Sequence, residues 1–347
     1  MKFATFVIGT SCLLFAALFV ALFASVRGVK ADDFYKDKTV TVFVGYDPGA
    51  TNDITARLVA GHIGPHLGGN PTIVVKNMPG AATRKLAAHI FARSPKDGTE
   101  FGLIDRALAT ETLLDPSAKN PFDVLALTWI GSPSQETLVC VSWHTSKIQT
   151  VEDALSKEFV VASPGSPSGE QMIANVLNAL LGAKMRAIGG YRGGSEMNLA
   201  MQRGEVDGRC GMGWGAIKVT SMDQIRDKQM KVLLQTSIDR HPDLRDVPNA
   251  YDMVKSDSDR QALALIFASQ KIGRPFIAPP DMPAERKAAL RKAFDATMRD
   301  AAFLADAEKA KLDLQPITGD EIERILKAAY GTPAPIIERT VKIVQTR

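Results

Sequence analysis

The chain has 347 residues, of which 45% are hydrophobic and 23% charged, and its formal charge is +4. This composition is typical of a soluble globular protein, and the length predicts two domains rather than one. The sequence contains no basic cluster with interleaved aromatic residues, so we do not expect nucleic acid as a partner.

An export signal is predicted at the amino terminus. Lys2 precedes an apolar run from Phe3 to Ala24, and small residues then lead to Ala31. A positive start, an apolar middle and a Val-x-Ala end indicate a secretory signal that is cleaved after Ala31. The alternative is an uncleaved anchor, because the run is nearly long enough to span a bilayer. Removing residues 1–31 leaves 39 basic and 38 acidic side chains, a formal charge of +1.

The first structural unit of the exported chain is a strand, a loop and a helix. Valines alternate with other residues over Thr39–Val44, which favours a strand, and Gly45–Gly49 is rich in turn residues. Thr51, Asn52 or Asp53 can each cap the helix that follows. Because the first amides of a helix have no internal partner, this arrangement predicts an anion site. The alternative is an ordinary strand-to-helix turn that binds nothing.

Strands and helices alternate through residues 39–114, and the same order returns between residues 159 and 235. This alternation predicts an α/β protein whose parallel sheets carry helices on both faces. Ligands of such sheets bind beyond the carboxyl ends of the strands, where the loops at 45–53, 77–83 and 105–110 converge. The crossings between the two halves are predicted near 132–136 and 233–240.

Two cysteines, Cys140 and Cys210, remain after removal of the signal. An exported protein can join them in a disulfide, but their separation in sequence says nothing about their distance. Two buried free thiols are the alternative.

Four segments together resemble the Bug-type extracytoplasmic solute receptors of tripartite tricarboxylate transporters, over essentially all of the mature chain. They match the family's first loop, its V-x-N-x-P-G-A turn, its P-Y-K-G loop with a G-x-V-D downstream, and its A-P-x-G-T-P loop. In this sequence they are Val44–Arg57, Val75–Ala81, Tyr191–Gly194 with Gly204–Asp207, and Ala278–Pro283.

The resemblance implies a two-lobed periplasmic binding protein of type II (Venus-flytrap), with a central sheet in each lobe flanked by helices. We assign residues 32–132 and 236–347 to one lobe and residues 133–235 to the other. The lobes are expected to close around a small carboxylate and to present it to the membrane components of a tripartite transporter. The protein is expected to be monomeric, without cofactor or metal.

The resemblance also suggests where the ligand is bound. Backbone amides of the first loop would hold its carboxylate, partly through water, and loops of the second lobe would complete the site. The candidate ligand-binding residues are Tyr46, Asp47, Gly49, Ala50, Thr51, Asn52, Asp53, Arg106, Ser163, Ser166, Ser168, Tyr191, Arg192 and Asp207.

Several of these candidates have a second interpretation. Asp53 is expected mainly to cap the helix and fix the loop, with ligand contact as the lesser role. Asp47 is either a partner for an ammonium group or a solvated residue at the loop tip. Arg106 either grips a carboxylate or pairs with Asp105 at the surface. Tyr191 and Arg192 either approach the ligand or stay at the edge of the lobe.

Departures from the family pattern concern the first loop. Gly45 replaces a proline and Ala50 replaces the second glycine. Because alanine does not readily adopt a positive φ, we expect a local change at position 50.

The ligand class stays broad: a dicarboxylate, a tricarboxylate, an acidic or other amino acid, or an aromatic acid. A rival interpretation is a secreted hydrolase or lyase that uses the same cleft, but the sequence offers no paired base and nucleophile. A third is a carboxylate sensor or scavenger that works without a transporter. His62 and His66 are four residues apart, but Gly64-Pro65 between them interrupts the helix that a shared metal site would need.

Overall fold

The computed structural model of the protein describes residues 34–165 and 168–345. The predicted signal over residues 1–31 and the candidate Ser166 lie outside these ranges. No helix within them has both the length and the apolar character needed to cross a bilayer.

Strands of the described residues form two sheets, and they are numbered in chain order. They are β1 (Thr39–Val44), β2 (Thr72–Asn77), β3 (Glu100–Leu103), β4 (Thr128–Ser132), β5 (Leu138–Trp143), β6 (Glu158–Ala162), β7 (Lys184–Ile188), β8 (Gly208–Gly213), β9 (Met230–Thr236), β10 (Phe276–Ala278) and β11 (Ile317–Thr318).

Helices flank both sheets and are numbered in the same way. The α-helices are α1 (Thr51–Ile63), α2 (Arg84–Arg93), α3 (Glu111–Leu114), α4 (Val151–Ser156), α5 (Gly169–Leu181), α6 (Gly194–Gln202), α7 (Trp214–Thr220), α8 (Met222–Arg226), α9 (Ala250–Met253), α10 (Asp257–Ile272), α11 (Ala284–Thr297), α12 (Ala301–Lys309), α13 (Gly319–Tyr330) and α14 (Ala334–Gln345). Single 3₁₀ turns occupy Gly64–His66, Arg106–Ala109 and Pro242–Leu244.

The first sheet has the strand order β11-β4-β10-β3-β1-β2. Strands β2 and β3 pair with β1 in parallel, as predicted, but β10 pairs antiparallel with both β3 and β4. Strand β10 enters this sheet antiparallel because the chain returns to it after its excursion into the second sheet. Buried apolar side chains cover both faces, from α1 and α11 on one and from α2 and α13 on the other.

The second sheet has the order β7-β6-β8-β5-β9. Strand β6 runs parallel to β7 and β8, whereas β5 runs antiparallel to β8 and β9. Cys140 on β5 and Cys210 on β8 face each other across this pairing and are joined by a disulfide, with their Cα atoms 3.9 Å apart. The sequence left open whether the two cysteines form a disulfide or remain buried free thiols, and the structure shows the disulfide.

Two helices that the sequence analysis did not assign belong to the core of the second sheet. Helix α10 buries Leu263 and Phe267 there, and α14 packs Ile343 and Val344 against the same cluster. The assignment of residues 236–347 as a whole to the lobe of the first sheet stays a prediction. The strands themselves divide between the sheets at the crossings after β4 and after β9.

Candidate functional site

The loop between β1 and α1 begins with Gly45, which lies against Thr83. The Gly45 N–H donates to the Leu103 carbonyl over 3.0 Å, which extends the pairing of β1 with β3 by one residue. A Cβ atom at position 45 would lie 2.6 Å from the Thr83 Cβ, closer than such atoms approach each other in proteins. A proline would meet the same obstacle, so the departure from the family pattern at Gly45 fits the presence of Thr83.

Ala50 precedes the first residue of α1 and has φ −65° and ψ 153°. The positive φ of this turn is at Gly49, at +84°. Position 50 therefore needs no left-handed backbone, and alanine fits there without the strain that was expected.

Asp53 holds the loop together from the first turn of α1. Its carboxylate accepts hydrogen bonds from the Gly49 amide at 2.8 Å, from Arg57 Nε at 2.9 Å and from Asn77 Nδ2 at 2.8 Å. The side chain is only 2% exposed. Burial alone would raise the pKa of Asp53, but the hydrogen bonds from Arg57, Gly49 and Asn77 outweigh it and hold the pKa below its usual value. These contacts are those of a residue that fixes the loop.

The amino terminus of α1 has open amides. Ala50, at the N-cap, has no side-chain oxygen to accept from them. No acceptor among the described residues pairs with the amides of Thr51, Asn52 and Asp53, whereas the Ile54 amide already donates to the Ala50 carbonyl. Such a helix end favours an anion through its free N–H groups and its dipole.

A cavity of about 420 Å³ lies between the loops of the two sheets. We call it the interlobe cavity. Residues that follow β1 and β3 line one side, and Leu138, Gly169 and Met172 line the other. The last turn of α10, together with Gly273 and Arg274, closes a third side. Of the candidates predicted from sequence, the structure brings Tyr46, Asn52 and Arg106 to this lining.

Tyr46 is fixed at the rim of the interlobe cavity by two contacts. Its hydroxyl donates to Asp105 Oδ2 over 2.8 Å, and its carbonyl accepts from Asn77 Nδ2 over 2.8 Å. Burial and the neighbouring Asp105 carboxylate raise the pKa of the Tyr46 phenol, so it stays protonated.

Arg106 does not pair with Asp105 among the described contacts. Asp105 instead caps the 3₁₀ turn by accepting from the Ala107 amide over 2.7 Å. Arg106 Nη1 lies 3.4 Å from a Glu136 carboxylate oxygen, on the crossing between the sheets. The Arg106 side chain is 34% exposed, and the long distance marks a weak ion pair.

Arg274 is a residue of the cavity that the sequence analysis missed. Its Nε donates to Asn52 Oδ1 over 2.9 Å and its Nη1 donates to Ser134 Oγ over 2.7 Å. Both acceptors are neutral, and no carboxylate in residues 34–165 and 168–345 forms an ion pair with it. The sequence feature that could have identified Arg274 was an arginine directly after a glycine that ends a helix. It could not be used because α10 was not predicted from the sequence.

Three carboxylates also line the interlobe cavity, and each already has partners. Asp105 accepts from Tyr46 and Ala107, Glu111 is paired with Arg84, and Asp115 accepts from the amide and hydroxyl of Ser117. Only Glu111 is paired with a cation, whereas the donors to Asp105 and Asp115 are neutral, as are the acceptors of Arg274.

The serines of the second sheet cap a helix. Ser168 accepts from the Gln171 amide over 3.2 Å at the start of α5. Ser163 is fully buried, accepts from the Gly165 amide over 3.0 Å and lies 3.0 Å from the Ser168 hydroxyl. Neither lines the interlobe cavity, although Gly169, directly after Ser168, does.

Three other candidates lie outside the lining of the interlobe cavity. Asp47 is exposed at the loop tip, where its carbonyl accepts from the Ala50 amide. Tyr191 is half-buried against the core of the second sheet, and Arg192 is exposed with its amide donating to Glu196 over 2.6 Å. For Asp47 the structure matches the alternative of a solvated loop-tip acid.

Asp207 is placed where it stabilises the sheet. It directly precedes β8 and lies beside Val160, in the middle of β6. Its carboxylate accepts from Ser146 Oγ over 2.8 Å and from the Val160 amide over 3.0 Å. These contacts are those of a residue that stabilises the sheet, and a role of Asp207 in ligand binding stays a prediction.

Arg209 is a second charged residue that the sequence analysis missed. Its side chain is buried, and Nη1 donates to Asn198 Oδ1 over 2.6 Å and to the Gly194 carbonyl over 3.3 Å. Glu170 lies 3.6 Å from Nη2. Burial lowers the pKa of Arg209, and Glu170 offsets part of this effect. The sequence feature that could have identified Arg209 was a charged residue inside a strand. The guanidinium links the first turns of α5 and α6, which carry the loops of the second sheet.

No metal centre is evident in the part of the chain that the structure describes, because no three His, Cys, Asp or Glu side chains group there. His62 and His66, the pair considered from sequence, contact Asp306 and Asp300 instead, each over 3.2 Å.

Comparisons with known proteins agree with this architecture. Residues 55–340 match the family described as tripartite tricarboxylate transporter family receptor. A relative from Agrobacterium vitis, described as a UPF0065 protein in the TAR-I ttuE-ttuC′ intergenic region, is 24% identical over 331 residues, covering 91% of this chain and 86% of its own.

Solved structures show the same fold. A TctC solute binding protein from Polaromonas superposes with a TM-score of 0.68 at 15% identity, over 89% of this chain and 99% of its own. An R. palustris protein solved with adipate gives 0.56 at 17% identity, over 88% and 97%. The fold is therefore that of the two-lobed periplasmic binding proteins. The chain belongs to the tripartite tricarboxylate transporter receptors, a family of solute-binding proteins and not of enzymes.

Proposed function

We propose that this receptor binds a small carboxylate in the interlobe cavity, with Arg274 and Arg106 as its cationic contacts. The observation that carries the proposal is Arg274, a guanidinium in this cavity whose acceptors, Asn52 and Ser134, are both neutral. A guanidinium matches a carboxylate through two parallel hydrogen bonds, and neutral partners leave its charge to be compensated by a ligand.

The start of α1 supports the same conclusion. Arg274 holds Asn52, the second residue of the helix, so the guanidinium and the open amides of Thr51, Asn52 and Asp53 belong to one region of the molecule. A carboxylate bound there would receive hydrogen bonds from the backbone and charge compensation from arginine.

Arg106 offers a second cation for a ligand with two acidic groups. Its present partner, Glu136, is 3.4 Å away, a distance at which a ligand carboxylate can compete. The R. palustris relative was solved with adipate, a dicarboxylate, which supports this class of ligand for the present chain. A cavity of about 420 Å³ suits such a molecule.

Calorimetric titration and thermal shift with succinate, adipate, malate, citrate, aspartate and benzoate test the proposal. We expect at least one of these acids to bind and to raise the melting temperature by an amount that grows with the logarithm of the ratio of its concentration to its Kd. Arg274→Met removes the guanidinium and should weaken that binding at least about tenfold.

Arg226→Met is the matched control, because Arg226 is exposed on α8, pairs with Asp223 and is absent from the cavity lining. Its binding constant should equal that of the wild type. Binding that is equally strong in Arg274→Met would exclude Arg274 as the contact, and the absence of binding by every acid would reject the ligand class.

We further propose that the chain is exported and cleaved after Ala31, acts as a monomer, and delivers its ligand to the membrane components of a tripartite transporter. Intact mass of the protein from the periplasmic fraction tests the cleavage site, with Asp32 expected as the first residue. Uptake of the identified acid by cells with and without the receptor tests delivery. Uptake that does not depend on the receptor would point to a sensor or scavenger instead.

A further inference from the structure

Gln270, in the last turn of α10, lines the interlobe cavity and has an unpaired amide. The side chain is 4% exposed, and neither Oε1 nor Nε2 has a hydrogen-bond partner among the described residues. A buried primary amide that makes none of its hydrogen bonds is unfavourable, and native proteins rarely leave one so.

The backbone around Gln270 is held firmly. Its carbonyl accepts from the Glu136 amide over 2.9 Å, which ties α10 to the crossing between the sheets. Gly273 ends the helix with φ +67°, and a Cβ there would lie 1.7 Å from the Ser134 carbonyl oxygen. The close approach at Gly273 and the bond to Glu136 therefore fix where the Gln270 side chain starts.

Gln270 is also four residues before Arg274, and both residues line the same cavity. A ligand held through its carboxylate by Arg274 would thus present its neighbouring atoms towards the end of α10. This region is the carboxyl end of a helix, where the dipole favours hydrogen-bond donors and positive charge over further anions.

We infer that Gln270 selects carboxylates that carry a hydrogen-bond donor on the carbon next to the carboxylate, either a hydroxyl or an ammonium group. The inference rests on the proposed function. The amide offers one acceptor and one donor side by side, and such a ligand offers the complement. Its hydroxyl or ammonium donates to Oε1, while a carboxylate oxygen accepts from Nε2.

An acid without this donor leaves Oε1 unpaired in a buried place. Sites built to pair with a polar group discriminate strongly against analogues that lack it, because the protein atom then has no partner. The same argument applies to a hydroxy acid and to an amino acid, so malate, aspartate and lactate represent the class, with succinate and propionate as their counterparts.

Titration calorimetry of the wild-type protein gives the first measurement, which needs no variant. We expect malate or aspartate to bind at least about tenfold more tightly than succinate, or lactate than propionate if the site takes one carboxylate. Equal binding of the members of each pair would overturn the inference.

Gln270→Met gives the second measurement. Methionine keeps the unbranched shape and the helix propensity of glutamine but has no amide. The preference for the donor-bearing acid should fall to about threefold or less, mainly because that acid binds more weakly, while its counterpart keeps its affinity. Gln261→Met is the matched control, because Gln261 lies exposed on the same helix and outside the lining of the interlobe cavity. It should keep the full preference.

The outcomes separate this inference from the function on which it rests. A preference that survives in Gln270→Met, or binding of adipate with rejection of every donor-bearing acid, overturns the role of Gln270 while the receptor still binds carboxylates. If no carboxylate binds to the wild type, the proposed function fails and the inference fails with it.

Discussion

Helix α1 of the first sheet and helix α5 of the second begin in different ways. Helix α5 has a serine N-cap, Ser168, whose hydroxyl accepts from the Gln171 amide. Helix α1 has an alanine at the same place and no side-chain cap. A capped helix start has used part of its hydrogen-bonding capacity within the chain, whereas an uncapped one keeps it for a ligand. The amides at the start of α1 are therefore free for the ligand that we propose, whereas α5 has one amide fewer to offer.

Asp53 holds the loop before α1 in place although the helix has no N-cap side chain. A helix that lacks a cap loses stability, and here the loop before it is held from inside the helix by a buried carboxylate. The three donors to Asp53 come from the loop, the helix and the end of β2. They position the loop while leaving the amides of Thr51 and Asn52 open.

Replacing Asp53, which holds the first loop, is expected to have the largest effect on the free energy of unfolding. Asp53→Ala removes three hydrogen bonds and leaves the Gly49 amide and Asn77 without their acceptor, which should cost about 2–4 kcal/mol of unfolding free energy. Chemical denaturation measures the loss. Asp47→Ala, which removes an exposed carboxylate from the same loop, should change stability by less than about 0.5 kcal/mol. Equal effects of the two changes would contradict the role of Asp53.

The same residue gives a pH dependence. The pKa of Asp53 is lower in the folded protein than in the unfolded chain, so the unfolded state takes up a proton first as the pH falls. Its contribution is complete above the unfolded pKa of about 4 and is lost as the pH drops through the folded value. Denaturation of wild type and Asp53→Asn between pH 3 and pH 6 (about the range of carboxylate titration) should give curves that converge at the acidic end. Parallel curves would exclude Asp53 as a source of this dependence.

A second test concerns how closely the first loop is packed. Gly45→Ala places a Cβ 2.6 Å from the Thr83 Cβ and should cost about 1–3 kcal/mol. Thr83 has φ +67°, so Thr83→Gly both removes the obstacle and suits the backbone, at the loss of the hydrogen bond from the Asp105 amide. In a double-mutant cycle the two changes should therefore compensate each other by about 1 kcal/mol or more. Strict additivity would show that the contact does not set the choice of glycine.

The sequence was informative where structure is local. Alternating valines, turn residues and an apolar helix face predicted β1, the loop and α1, and the structure keeps all three. Of the two roles expected for Asp53, fixing the loop is confirmed, whereas capping the helix was wrong because the N-cap of α1 is Ala50, without a side-chain cap. These inferences succeed because the interactions involved lie within a few residues of each other in the chain.

Residues whose partners are distant in sequence were missed or misjudged. Arg274 meets Asn52 and Ser134 only because β10 returns to the first sheet, and Arg106 meets Glu136 across the crossing rather than its neighbour Asp105. Asp207 contacts Val160 of a neighbouring strand, a partner that the motif did not reveal. The topology of the fold decides which charged residues line the same cavity. Patterns over a few neighbouring residues in the sequence do not contain that information.

Adding a cap to α1 tests the central comparison directly. Ala50 has the extended backbone of an N-cap residue, so Ala50→Ser should let the new hydroxyl accept from the Asn52 or Asp53 amide. We expect stability to rise by about 0.5–1 kcal/mol while carboxylate binding weakens a few-fold, because an amide is no longer free. Ala50→Asp should weaken binding further through its charge. Stronger stability with unchanged affinity would show that these amides do not serve the ligand.

Removing the cap of α5 is the reciprocal change and has the smallest expected effect on carboxylate affinity. Ser168→Ala leaves the Gln171 amide without its acceptor and should lower stability by about 1 kcal/mol. Thr150→Ala, which removes the equivalent cap of α4, is the control and should cost about as much. Since both hydroxyls are engaged in capping, neither change should alter the affinity for a carboxylate beyond about twofold. A much larger loss of affinity in Ser168→Ala alone would mean that the second sheet also offers its helix start to the ligand, and the contrast between the two helices would no longer hold.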